Sequence, residues 1–308
     1  MQSALALEVP AETTTAFSEL AYDEQTARKA LDELTSRALA YRTGPELKAL
    51  FDFLKRFPHI APYNAMLLHV QNPQIQFALR APVWERKYER RVVPRARPYV
   101  ILQTMGPVAF VFDLSDTKPI NPNRDLIPET ITNPFRASGQ PPPGALKRLI
   151  VACLKVGIVV QQQDLATHHA GSVIRFSHGT FGVTLNSKHT EAQQVGTVAH
   201  ELAHIFCGHL GATRDGFWLD NSSASKDVRE FEAEAVAYLV TDRLGLDIGS
   251  HKYLAGYLSG DKRLPDSSLD TVLKAVGKIE EMLRGTFRVR RSQEQVKRVI
   301  RAPALRGS

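Results

Sequence analysis

The feature that most constrains this chain is the stretch at residues 197–209, which reads TVAHELAHIFCGH. Residues four apart on a helix lie about 5–6 Å apart on one face, so His200 and His204 can present two imidazole nitrogens to one metal ion. Glu201 follows the first histidine and can act as a general base. Neutral imidazole suits zinc, and a catalytic zinc site has three protein ligands and a position for water. The pattern therefore predicts a zinc site built on one helix.

The flanks of this stretch predict that its helix is mostly buried. Apolar residues recur on both sides, at Val195, Val198, Leu202, Ile205 and Phe206. Two histidines and a carboxylate buried there without a common partner would cost on the order of several kcal/mol. A shared metal ion removes that cost, which favours a metal site over three polar residues that happen to share a helix.

The third ligand is expected on a second long helix, at about residues 225–244, which contains the run REFEAEA. Glu230 and Glu234 share a face of this helix, whereas Glu232 points elsewhere. One carboxylate of the pair can bind the metal while the other accepts the ring N–H of a ligating histidine. We predict Glu230 as the ligand and Glu234 as the outer partner. The opposite assignment and a solvated acidic face are the alternatives.

Other residues near the motif narrow the kind of site. A metzincin would have glycine at position 207 and histidine at position 210, where this chain has cysteine and leucine, so that class is excluded. Cys207 is expected to be a small buried side chain and not a ligand. His251 or Tyr253 could polarise a substrate carbonyl across the site, or could be ordinary surface residues.

Periodicity and proline content divide the chain into two domains. Between residues 14 and 71 apolar residues recur at three and four positions, which predicts successive amphipathic helices. Residues 99–112 (YVILQTMGPVAFVF) predict two strands joined by a turn. Seven prolines between residues 117 and 144 exclude a helix or a central strand and indicate a linker.

After the linker, a short helix near residues 145–156 and the β-rich runs at 157–163 and 172–185 predict a helix followed by a small antiparallel sheet. Thr190 to Gln193 matches a capping box at the start of the histidine-bearing helix. The predicted fold class is α+β with two domains. Their expected bounds are 1–130 for the mixed helix and strand unit, 131–144 for the linker, 145–285 for the metal-binding domain and 286–308 for a basic tail.

Charge and cysteine content bear on partners and compartment. The net charge of +7 and the isoelectric point near 9.4 indicate an acidic partner or a locally basic surface. Two cysteines do not make a disulfide framework, and the N-terminus lacks the features of a signal peptide. The most apolar stretch, residues 149–160, is too short to span a bilayer. We therefore expect a cytoplasmic protein without a membrane span.

The run HELAHIFCGH followed by REFEAEAVAYLV resembles the ImmA/IrrE-type zinc metallopeptidases. The resemblance implies a fold in which the HExxH helix pairs with a helix that carries a third, glutamate ligand. The family pattern Glu-x-Glu-Ala-Asn matches residues 230–234, with glutamate in place of asparagine. The resemblance thus implies Zn²⁺ held by His200, His204 and Glu230.

The N-terminal part is similar to the single-stranded-DNA-binding domain of ArdC-type antirestriction proteins, which precedes a metalloprotease domain of this kind. The similarity rests on PYNAMLL at residues 62–68, VWERKY at 83–88 and VAFVFDLSDT at 108–117. It implies single-stranded DNA as a partner. The family's usual Gly-Glu-Lys-Gly turn is replaced by VPRARP at residues 93–98, which puts DNA contacts in that turn in doubt.

Residues 80–97 carry seven basic residues against two glutamates, with Trp84 and Tyr88 among them. Arginines can pair with phosphates while an aromatic face stacks on an unpaired base. The alternative is a solvated helix face followed by a strand, with Trp84 and Tyr88 turned into the core. The basic tail could be a second phosphate-contacting arm or a disordered end. The predicted nucleic-acid contacts are Tyr63, Asn64, Trp84, Lys87, Arg90, Arg91, Arg95 and Arg97.

These features predict a gluzincin-like zinc metallopeptidase that acts on a protein or peptide, with a DNA-binding N-terminal domain, in antirestriction or regulatory proteolysis. Bound zinc would activate a water, and Glu201 would take its proton and pass it to the leaving amine. One alternative is a DNA-binding protein in which zinc only braces the fold. Another is a regulator that cleaves one particular repressor and leaves generic peptides intact.

Overall fold

The computed structural model describes residues 41, 43–103, 106–127, 139–177, 179–212, 219–246 and 251–288. The chain divides into two compact units, Met1–Phe135 and Arg136–Ser308, and their boundary falls within the linker predicted at residues 131–144. The predicted helices before residue 41, residues 131–138 of that linker and the tail after residue 288 lie outside the described residues. The combination of helices with small sheets confirms the α+β class.

Three helices belong to the described part of the N-terminal unit: α1 (Gly44–Arg56), α2 (Pro62–Gln71) and α3 (Ala81–Tyr88). Thr43 begins α1 with a capping box in which its side chain and that of Glu46 each bond the other's backbone N–H. The predicted apolar stripe of α1 is buried, with Leu47, Leu50 and Leu54 among its buried residues. The predicted amphipathic pattern is therefore confirmed for α1.

The described residues of this unit also form two small antiparallel sheets. Strands β1 (Ala78–Leu79) and β3 (Tyr99–Gln103) flank β4 (Gly106–Asp113), and β2 (Arg90–Val92) pairs with β5 (Thr117–Pro119). Tyr99 lies opposite Val111 in the pair of β3 and β4. The predicted pairing of two strands within residues 99–112 is thus confirmed.

In the described part of the C-terminal unit, helix α4 (Ala145–Leu154) comes first, followed by β6 (Ile158–Gln163), β7 (Gly171–Arg175) and β8 (Phe181–Asn186). Strand β8 lies in the centre of the sheet, antiparallel to β7 but parallel to β6. The expectation of a wholly antiparallel sheet is wrong here. Residues 164–170 connect β6 to β7 at the opposite edge of the sheet, so β8 occupies the position between them. The sequence could not show this, because the period-two apolar pattern of a strand is the same for parallel and antiparallel pairing.

Four further helices follow: α5 (Glu191–Phe206), α6 (Lys226–Arg243), α7 (His251–Leu258) and α8 (Leu269–Arg284). The capping box of Thr190 and Gln193 begins α5 as predicted, and the apolar residues that flank its histidines are buried. Helix α5 packs against α6, against strands β7 and β8, and against α8. The histidine-bearing helix is therefore central to the unit.

Gly171, at the start of β7, lets this strand approach α5 closely. A Cβ at this position would lie 2.5 Å from the carbonyl oxygen of Thr184 and 2.7 Å from Cγ2 of Thr197, which is shorter than any real contact. The close approach places the beginning of an edge strand beside His200, since Gly171 and His200 line the same cavity.

Candidate metal centre

The two histidines of α5 and one glutamate of α6 converge on a single point. Nε2 of His200 and Nε2 of His204 lie 3.2 Å apart, and Oε2 of Glu230 lies 3.9 Å from Nε2 of His200. One ligand atom from each of the three residues lies within 4.8 Å of the others. These are the three predicted ligands. The two histidines lie close together because they are one helical turn apart on α5. Glu230 lies near them because α6 packs on α5.

Glu234 lies one turn after Glu230 and contacts the other side of the His200 ring. Its Oε1 is 3.4 Å from Nδ1 of His200, so this carboxylate can accept the ring N–H that faces away from the convergence point. The structure thus places Glu230 on the inner side of the ring and Glu234 on its outer side, and their assignment as metal ligand and outer partner stays a prediction.

Burial keeps both imidazoles neutral, which is the state that binds a metal. Desolvation, together with the nearby rings of His200 and His209, lowers the pKa of His204 to about 3. Desolvation also lowers the pKa of His200, although the charge of Glu230 opposes that shift. Both rings therefore offer a lone pair at ordinary pH.

Glu201 is 8% exposed and faces a cavity of about 420 Å³. The cavity lies between the start of β7, helix α5 and helix α6, and its lining includes Gly171, Thr197, His200, Glu201 and Glu234. Burial, and then the charges of Glu230 and Glu234, raise the pKa of Glu201 to about 7. A carboxyl group with that pKa can both take up and release a proton near neutral pH.

The sequence reasoning missed two residues beside this centre, His209 and Glu232. Nδ1 of His209 lies 2.9 Å from Nδ1 of His204, and Nε2 of His209 lies 2.9 Å from Oε2 of Glu232. Glu232 does point away from Glu230 and Glu234, as expected, but it is 1% exposed. A signal was available, because an acidic residue on the apolar face of a helix needs a buried partner.

Cys207 is buried, as predicted. Desolvation and the nearby charge of Glu232 raise the pKa of its thiol, which keeps the sulfur protonated and a poor metal ligand. The side chains of His251 and Tyr253 lie outside the described part of the structure.

The basic segment of the N-terminal unit differs from its prediction at two residues. Trp84 is 0% exposed, and its indole N–H donates to the carbonyl of Phe112 at 2.9 Å. Arg90 is 6% exposed, donates to Thr117 and forms an ion pair with Asp125. Trp84 therefore has no free face for stacking on a base, and the guanidinium of Arg90 is held by partners within the protein. The alternative, in which the tryptophan is turned into the core, is the arrangement found.

The other predicted nucleic-acid contacts lie at or near the surface. Asn64 on α2 bonds both the N–H and the carbonyl of Leu102, at 2.9 and 3.0 Å, and so supports strand β3. Tyr63 is half-buried. The exposed members of the set are the side chains of Lys87, Arg91, Arg95 and Arg97.

Comparison with known proteins bears on the C-terminal unit. Residues 153–243 match the family model of the IrrE N-terminal-like domain, Peptidase_M78. This family is a zinc metallopeptidase-like domain. The matched segment runs from the end of α4 to the end of α6 and contains His200, Glu201, His204 and both flanking glutamates.

No curated protein and no solved structure matched the chain. None of the helices in the described ranges has the length and hydropathy of a membrane span.

Proposed function

We propose that the C-terminal unit is a zinc-dependent peptidase, with His200, His204 and Glu230 as ligands and Glu201 as the general base. The observation that carries this proposal is the position of Glu201. A buried carboxyl group that directly follows the first histidine lines the same cavity as His200. A site in which zinc only braces the fold has no use for such a base.

The donor set fits zinc. Zn–N bonds of 2.0–2.1 Å in a tetrahedral site place neighbouring ligand atoms roughly 3.3 Å apart. The two Nε2 atoms are 3.2 Å apart, and a carboxylate oxygen lies 3.9 Å from one of them. Zinc bound there would lower the pKa of a water molecule to about 7 and polarise a carbonyl group.

Proton transfer, orientation of the His200 ring and substrate binding are each assigned to residues of the chain. Glu201 accepts a proton at the cavity and returns it to the leaving amine. Glu234 orients the ring of His200 through Nδ1. The cavity volume lies within the range of ligand pockets and leaves room for part of a peptide beside Glu201. The expected substrate is a protein or peptide.

The test combines metal analysis with a search for new N-termini in a cell extract incubated with the protein. We expect about one zinc per chain in the wild type and in Glu201→Gln, with new N-termini produced by the wild type alone. Glu191→Gln, an exposed change on the same helix, is the matched control and should behave as wild type. Zinc without new N-termini in the wild type would indicate a structural site. Cleavage of a single protein, with generic peptides left intact, would indicate a dedicated regulator.

We also propose that the N-terminal unit binds single-stranded DNA through its exposed cations Lys87, Arg91, Arg95 and Arg97. What supports this is the concentration of exposed basic side chains within one segment. Trp84 and Arg90 are removed from the contact set by their burial. The resemblance to ArdC-type proteins supports antirestriction or regulatory proteolysis as the setting of both activities.

A further inference from the structure

A buried chain of hydrogen bonds extends from the candidate metal centre to the start of another helix. Nδ1 of His204 contacts Nδ1 of His209 at 2.9 Å, and Nε2 of His209 contacts Oε2 of Glu232 at 2.9 Å. The backbone N–H of Ser268 then donates to Oε1 of Glu232 at 2.8 Å. His209 and Glu232 are 2% and 1% exposed. Ser268 is the N-cap residue of α8, so the chain joins α5, α6 and α8.

We propose that His209 and Glu232 are positioning residues that hold His204 in the tautomer whose Nε2 lone pair faces the zinc site. This inference rests on the proposed zinc site.

The direction of the chain follows from its fixed end. A backbone N–H can only donate, so Ser268 requires an acceptor at Oε1 of Glu232. The carboxylate also accepts at Oε2, which places the proton of His209 on Nε2. When His209 carries that single proton, its Nδ1 is an acceptor and Nδ1 of His204 must donate to it. The lone pair of His204 is then on Nε2.

His200 is oriented in the same sense by a separate contact. Its Nδ1 faces Glu234 at 3.4 Å, which places the ring proton there and the lone pair on Nε2. Two Nε2 lone pairs then face the same point, with the two nitrogens 3.2 Å apart, and a cation at that point would interact favourably with both. The outer partners of both rings therefore prepare the same point for a positive ion.

The same residues could instead form a second metal site, because ligand atoms of Cys207, His209 and Glu232 lie within 4.8 Å of one another. Both ring nitrogens of His209 and both oxygens of Glu232 already have partners at hydrogen-bonding distance. A metal there would break the contact between His209 and Glu232. The hydrogen-bonded chain gives a partner to both ring nitrogens of His209 and both oxygens of Glu232, so we favour it over a second metal site.

Glu232→Gln tests the chain with little change in shape. The N–H of Ser268 still requires the amide oxygen, so the amide NH₂ of the new side chain must face Nε2 of His209. That nitrogen becomes an acceptor, the proton of His209 moves to Nδ1, and the proton of His204 moves to Nε2, towards the metal. Mutating the outer partners of metal ligands typically costs 10–100-fold in metal affinity, and we expect a loss of roughly that size here because the new tautomer places a proton on the ligating Nε2 of His204.

The experiment measures zinc affinity of full-length protein by competition with a chelator, together with ¹⁵N NMR of the imidazole nitrogens in zinc-free protein. Wild type should carry the proton of His204 on Nδ1, and Glu232→Gln should carry it on Nε2. Glu281→Gln, the same chemical change at an exposed position of α8, is the control and should match wild type in both measurements.

Each contrary outcome has a separate meaning. Wild-type zinc affinity in a folded Glu232→Gln variant, or a wild-type His204 with its proton on Nε2, would overturn the chain and leave the proposed peptidase intact. Two zinc ions per wild-type chain, one of them lost in Cys207→Ser, would replace the chain by a second metal site. A wild type that binds no zinc would overturn the proposed function itself. Should Glu232→Gln fail to fold, the wild-type NMR measurement alone decides the tautomer.

Discussion

The burial of Trp84 predicts that substitutions there act on the stability of the N-terminal unit and not directly on DNA contacts. Trp84 is 0% exposed, and its ring lies 5.8 Å from that of Phe77 and 5.4 Å from that of Tyr88. Replacing a buried tryptophan by alanine removes this packing and typically costs about 3–5 kcal/mol. Domains are stable by only about 5–15 kcal/mol, so Trp84→Ala removes a large share of the total.

Trp84→Phe isolates the smaller contribution of the indole N–H. The phenyl ring keeps much of the packing but removes the hydrogen bond from the indole N–H to the carbonyl of Phe112, and one such hydrogen bond contributes about 0.5–1.5 kcal/mol. The expected order of stability is therefore wild type, then Trp84→Phe, then Trp84→Ala. Leu102→Ala, at a residue of the same unit that is 43% exposed, is the control and should change stability little.

Hydrogen–deuterium exchange of full-length protein provides the measurement, because peptides from residues 76–119 report the opening free energy of this unit separately. DNA affinity is measured in parallel on folded Trp84→Phe and should remain within about twofold of wild type. A stacking platform would be worth about 1–3 kcal/mol of DNA binding. Unchanged exchange protection together with a loss of that size in Trp84→Phe would refute the core assignment.

Three further predictions concern the two proposed activities. His204→Ala should lose bound zinc after dialysis, because one of three protein ligands is removed, and metal analysis that finds stoichiometric zinc would contradict the assignment. Glu201→Gln should retain zinc but lose peptide hydrolysis. Hydrolysis by this variant at the wild-type rate would exclude Glu201 as the base. Arg91→Ala should weaken single-stranded DNA binding and reduce its salt slope by about one. Arg90→Ala should leave that slope unchanged but lower stability, since its charge is held by a neighbouring aspartate, and equal slopes for the two variants would contradict this distinction.

The metal centre was predictable to the extent that it depends on residues close together along one helix. His200, Glu201 and His204 are fixed by a spacing that one helical turn satisfies, and the capping box at Thr190 indicates where that helix begins. Glu230 and Glu234 lie on a second helix, so the sequence could give their shared face but not the packing of α6 on α5. The structure supplies that packing and places the two carboxylates on opposite sides of one ring.

The position of Glu232 on the buried face of α6 indicated that it needs a partner, but the sequence could not show that this partner is His209, because their contact depends on the turn after α5. The order of the C-terminal sheet was missed for a similar reason: alternation of apolar residues shows which face is buried but not which strand is central. Helix α8 was also not predicted, although in this case the sequence did carry a signal. Its buried residues Val272, Val276, Ile279 and Leu283 recur at helical spacing, so the signal for it was present in the sequence.

Helical geometry could also have decided the position of Trp84. Trp84 and Tyr88 are four residues apart and therefore share one face of α3, whereas Arg86, two residues from each of them, lies on the opposite face. A binding surface that combines stacking with phosphate pairing needs both kinds of residue on the same side. Their separation on an eight-residue helix favours burial of the aromatic face, which is the arrangement found.

The three alternating glutamates of α6 contact two different histidines. One of these histidines lies on α5 and the other lies in the turn that follows α5. Glu230 and Glu234 flank His200, while Glu232, two residues from each, contacts His209. Glu232 can act on His204 through His209 only because His209 lies beside His204. The turn at Gly208 makes this position of His209 possible. Gly208 has φ of +81°, and a Cβ there would lie 2.7 Å from the carbonyl oxygen of Leu219, so a side chain would both strain the turn and clash with backbone. The outer partners of His200 and His204 thus both depend on α6. A shift of that helix along its axis would disturb the orientation of both imidazoles together, whereas a change confined to Glu234 would disturb only one.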